Sequence, residues 1–173
     1  MNQQSGDVFS RRSETKTRML TGGRIGYRVW LYEPLHGSLR GPVFGGQWGP
    51  AEQFFGSCRR GDHRPHPDQP VPECDCGLYA FDTAKEALAF GARVRSRRKG
   101  RGVLGLVRGH TAMAGRVGTG WRAVSMEILG FSPVMDVTGW WADRDRLAQL
   151  SDLYSVPLVA FRWLIMYAQE LAG

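Results

Sequence analysis

Residues 103–129 read VLGLVRGHTAMAGRVGTGWRAVSMEIL, and this stretch decides the fold class. β-Branched, aromatic and other apolar residues fill 103–109, 112–117 and 121–129, and Gly118-Thr119-Gly120 supplies a glycine turn. Apolar runs separated by such short breaks predict three strands paired antiparallel. Upstream, residues 24–32 (RIGYRVWLY) predict a first strand with Ile25, Tyr27, Val29 and Leu31 on one face. Residues 36–49 are dense in glycine and broken by Pro42, so short strands and turns are expected there, with Trp48, Phe54 and Phe55 as loop anchors.

Helical patterns flank this sheet. After a short strand at Gly77–Phe81, Thr83 and Glu86 have capping-box spacing, and Ala84, Ala87, Leu88 and Gly91 form a narrow packing stripe, which predicts a helix over 83–94. Near the C-terminus Leu147, Leu150 and Tyr154 share one helical face. Beyond Val156-Pro157 a second helix presents Leu158, Phe161, Leu164, Ile165, Ala168 and Leu171. The expected architecture is α+β: a twisted antiparallel sheet, partly rolled toward a barrel, with one central helix and two C-terminal helices.

The chain of 173 residues matches one domain of the usual roughly 100 to 200 residues. Residues 1–23 lack apolar periodicity and carry Arg11, Arg12, Lys16 and Arg18, so they are expected to form a flexible basic arm before a single domain over 24–173. No run approaches the roughly 20 apolar residues that cross a bilayer, and the first residues lack a signal-peptide core, which predicts a cytoplasmic protein without a membrane partner. Thiols in that compartment stay reduced, so the three cysteines are read as metal ligands rather than bridge partners.

Residues 58–77, CRRGDHRPHPDQPVPECDCG, contain four prolines and no apolar period. Such a segment does not order itself by burial, but a metal can order it. Cys58, His66, Cys74 and Cys76 offer three sulfurs and one imidazole in the number a tetrahedral zinc ion takes. Zinc binding supplies about 10 kcal/mol to small structural sites, enough to organise a loop of this kind. His63 is an alternative to His66, and the same string would arise from an ordinary buried thiol beside solvated histidines. Four protein ligands would close the coordination sphere, which predicts structural rather than catalytic zinc.

The net charge of +7 is carried almost wholly by arginine, and between residues 93 and 108 lie Arg93, Arg95, Arg97, Arg98, Lys99, Arg101 and Arg108 with no acidic residue. With Arg59, Arg60 and Arg64 nearby, such a segment predicts phosphate contacts to DNA or RNA, made chiefly by Arg95, Arg97, Arg98, Lys99 and Arg101. A solvated helix-to-strand loop would show the same charges, and an arginine-rich composition also follows from a GC-rich genome. No Walker loop, dinucleotide fingerprint or HExxH pair is present. Ser125, Ser132 and His110 sit in ordinary strand or turn contexts, so an enzyme is disfavoured.

The string CDCGLYAFDTAKEAL at 74–88, preceded by Cys58, and Gly105-x-Val107 and Gly120-Trp121-Arg122-Ala123 beyond it, resembles a family of uncharacterised actinobacterial and actinophage proteins. In that family a CxCG(I/L)YA core, a glycine-valine strand and a GWRA strand recur. The resemblance implies a shared compact domain, a possible phage origin, and no established activity. Arg108-Gly109-His110 stands where the family pattern has a tryptophan-glycine step. The order of strand, cysteine loop, helix and sheet also resembles small β-barrel readers of the PUA-like kind, some of which bind modified nucleotides. The leading expectation is a non-enzymatic nucleic-acid-binding or regulatory protein. A protein–protein interaction module that docks a host factor through Trp140, Trp141 and the C-terminal helix is the alternative, and a small enzyme using Cys58 or a metal-bound water is third.

Overall fold

The computed structural model describes residues 23–33, 38–42, 47–50, 54–55, 76–95, 97, 100–114, 120–135 and 139–172. The expected arm over 1–23 falls outside them except for Gly23, as does residue 58–75 of the proline-rich segment. The fold is α+β. Among the described residues the strands are β1 (Arg24–Glu33), β2 (Ser38–Arg40), β3 (Gln47–Trp48), β4 (Phe54–Phe55), β5 (Leu78–Ala80), β6 (Arg101–Ala114) and β7 (Trp121–Ser132). The helices are α1 (Ala84–Arg95), α2 (Arg144–Tyr154) and α3 (Phe161–Ala172).

All pairings between these strands are antiparallel, in the order β3-β2-β1-β6-β7-β4, with β5 also on β7. The two segments expected at 103–109 and 112–117 are one continuous strand as far as Ala114. His110 pairs with Ser125 and Ala112 with Ala123, so β7 carries the ladder across the joint. Thr111 absorbs the bend there with a positive φ of 50°. A second irregularity falls between Leu106 and Val107, where Leu106 faces Gly130 and Val107 faces Ile128. Extra residues of this kind sharpen local twist.

That twist brings the sheet back on itself. Phe81, which follows β5, exchanges two backbone hydrogen bonds of 2.8 Å with Tyr27 of β1. Since β1 pairs with β6, β6 with β7 and β7 with β5, this bridge completes a ring of strands. Large indoles fill the ring at glycine positions: a Cβ on Gly109 would lie 2.3 Å from Trp121, and one on Gly105 2.9 Å from Trp30. Only glycine admits rings that close to the backbone.

Both faces of β1 are buried, more than its single expected apolar face required. Tyr27, Val29 and Leu31 belong to a cluster with α1 and α3, whereas Trp30 and Tyr32 belong to a second cluster with Trp48, Trp121, Phe131 and α2. Helix α1 begins where its capping box predicts: Glu86 N–H donates to Thr83 Oγ1 at 3.2 Å, and Thr83 N–H to Glu86 Oε2 at 3.1 Å. Helix α2 buries Leu147, Leu150 and Tyr154, as its periodicity requires, and Asp143 caps it by accepting from Arg146 N–H. Helix α3 starts three residues later than Leu158. Residues 157–159 are drawn into extended backbone by Phe131, whose N–H donates to Pro157 O and whose carbonyl accepts from Val159 N–H, both at 2.9 Å.

Candidate functional site

Of the four expected zinc ligands, Cys76 lies among the described residues, and Cys58, His66 and Cys74 lie outside them, as does His63. Cys76 is half-buried at the entry to β5. Its carbonyl accepts a 3.0 Å hydrogen bond from the buried Arg122 guanidinium of β7, and Gly77 follows with a φ of 110°. The sheet therefore anchors the C-terminal end of the proline-rich segment through main-chain contacts. Among the described residues no group of three or more His, Cys, Asp or Glu could hold a metal ion.

The expected phosphate-contacting residues divide by environment. Arg95 ends α1 and Arg97 follows in the next turn, with its N–H donating to Val94 O; both side chains are exposed. Among the described residues neither makes an ion pair. Arg98 and Lys99 lie outside the described residues. Arg101, at the start of β6, is half-buried and its guanidinium donates to Gly139 O. Arg108, inside β6, forms a 2.6 Å ion pair with Glu127 across the ladder. Arg93 and Arg95 occupy the last turn of α1, where cations also complement the negative end of the helix dipole. His110 and Ser125 are cross-strand neighbours, with Ser125 buried.

The residue that sequence reasoning missed is Arg28. It sits in β1 at 8% exposure, on the face shared with Trp30. Its guanidinium carbon lies 4.5 Å from the Trp48 ring centroid and 5.7 Å from that of Trp30, and it donates one hydrogen bond to Tyr79 O. Trp48 in turn stacks on Phe54 at 4.3 Å, and Trp30 meets Trp48 edge-on at 5.4 Å. Among the described residues no carboxylate pairs with Arg28, and burial pushes its guanidinium down to about 9. Its Nε, together with the indole Nε1 of Trp30 and of Trp121, is buried without a hydrogen-bond partner among the described residues. The available signal was the alternation Arg28, Trp30, Tyr32 opposite Tyr27, Val29, Leu31, which marks a strand buried on both faces.

Among the described residues, no helix is long and apolar enough to cross a membrane. Comparison of the chain with protein-family models, with curated proteins and with solved structures finds no match, so its own geometry carries the functional reading.

Proposed function

We propose that the protein is a non-enzymatic nucleic-acid-binding or regulatory protein that engages phosphates through the basic segment joining α1 to β6. One observation carries this reading: Arg95 and Arg97 are exposed and make no ion pair among the described residues, whereas Arg24, Arg108 and Arg146 pair with Asp82, Glu127 and Asp143. Arg98 and Lys99 extend the same stretch of sequence, and Arg101 contributes from the base of β6 while holding Gly139. Charges without an ion-pair partner among the described residues are available to a polyanion, and each phosphate neutralised adds to the salt dependence of binding. The cysteine-histidine loop of Cys58, His66, Cys74 and Cys76 is proposed to hold one structural zinc ion beside β5. The test is binding of DNA and of RNA across a salt series between about 50 and 200 mM. Affinity should fall steeply as salt rises, and the slope should shrink when Arg95 and Arg97 are both replaced by Gln. Binding of neither polymer at low salt, or affinity indifferent to salt, defeats the reading.

The protein-interaction reading keeps one specific observation in its favour. Trp140 is buried and Trp141 half-buried, so neither offers the open aromatic surface expected of a docking site, but Trp163 and Met166 on α3 are 50% and 46% exposed. A partner recovered in a pull-down that nuclease does not disrupt, and lost with Trp163→Ala, would favour this reading over the first.

A further inference from the structure

Among the described residues, several buried donors line the inner face of the strand ring. Along one face of β1, residues 26, 28 and 30 follow one another at two-residue steps of about 7 Å. Trp121 Nε1 sits over the first of them, since a Cβ on Gly26 would lie 2.8 Å from it. The Arg28 guanidinium and the Trp30 indole occupy the second and third. All three positions carry a buried nitrogen with no hydrogen-bond partner among the described residues, at Trp121 Nε1, Arg28 Nε and Trp30 Nε1.

Each of these groups only donates, so none can satisfy another. A buried guanidinium also needs negative charge, because water lost on burial is not replaced by an aromatic face and one carbonyl alone. The Trp48 ring, its centroid 4.5 Å from the guanidinium carbon, is a cation–π partner that accepts none of the N–H groups in a hydrogen bond of ordinary strength. A water molecule could accept from one or two of the donors but would leave the charge uncompensated. An oxyanion does both.

We infer that the rolled sheet contains a binding site for a small oxyanion, of the phosphate or carboxylate class, centred on Arg28, with the indole N–H groups of Trp30 and Trp121 as the neighbouring donors. The site stands apart from the exposed arginines at 95 and 97, so its failure and theirs are separable. Purified full-length protein titrated with inorganic phosphate, and separately with acetate, at ionic strength held constant with chloride, should show a saturable change in tryptophan fluorescence and a rise in melting temperature with at least one of the two. Arg28→Met keeps a long side chain against Trp48 and removes the charge; it should weaken that response by about tenfold or more. Should that variant fail to fold, Trp30→Phe keeps an aromatic ring, though a smaller one, and deletes the indole N–H, and is expected to weaken binding several-fold. No saturable response to either anion, a response that chloride reproduces, or an undiminished response in folded Arg28→Met or in Trp30→Phe would overturn the proposal.

Discussion

Tyr154 shows how one hydroxyl can tie three elements together. It lies at the end of α2, accepts the Leu39 N–H at 3.1 Å and donates to Trp48 O, so it satisfies main-chain groups of β2 and β3 at once. Tyr154→Phe leaves both without that partner, and a loss of about 1–3 kcal/mol in the urea unfolding free energy is expected. Burial also raises the Tyr154 hydroxyl above its ordinary value of 10.0, against a smaller lowering by the Leu39 hydrogen bond, and burial raises Tyr27 in the same direction. As pH rises past 10.0, the unfolded chain releases these protons before the folded one does. The folded state then binds more protons, and stability falls as pH increases. Arg28, lowered to about 9 by burial, acts in the opposite sense over the same range in both proteins, so the test is the difference between them: between about pH 9 and 11 the unfolding midpoint of the unaltered protein should fall relative to that of Tyr154→Phe. Parallel pH profiles in the two proteins would contradict the assignment.

At the scale of elements, local signals and long-range pairing contribute differently. The Thr83–Glu86 box is a contact within one turn, so it was legible from spacing alone and closes as expected. Thr83→Ala should cost about 1 kcal/mol, read as a lower melting temperature with an unchanged denaturant slope. The start of α3 was not legible in the same way. Residues 157–159 have a sequence compatible with helix, but the main chain of Phe131 takes their hydrogen bonds and postpones the helix to Phe161. Likewise β6 passes through Thr111 unbroken because its partner β7 supplies the ladder on both sides of the bend. Tertiary hydrogen bonds override local preference where the two compete.

For the whole molecule, the zinc proposal makes the sharpest thermal prediction. A strong chelator should lower the melting temperature, and Cys76→Ser should do the same in its absence, since a structural zinc site supplies about 10 kcal/mol in small systems. The Cys76 contact with Arg122 uses the carbonyl, which serine retains, so a large effect of Cys76→Ser reports on the thiol. Equal melting temperatures with and without chelator would remove zinc from the account.

Composition and periodicity were sufficient for the α+β class, the antiparallel hairpin, the faces of α1 and α2, and the basic character of residues 93–108. These depend on neighbours within a few residues, where side-chain period and turn chemistry report directly on structure. The closure of the ring between Phe81 and Tyr27, the burial of Arg28 among Trp30 and Trp48, and the division of the arginines into paired and exposed belong to the tertiary structure alone. The Tyr27–Phe81 bridge, the Arg28–Trp48 contact and the Arg108–Glu127 pair join residues some twenty to more than fifty positions apart, and an arginine in a strand reads the same whether its face meets solvent or the inside of a rolled sheet. Charge is written in the sequence, but what surrounds the charge is settled only when the chain has folded.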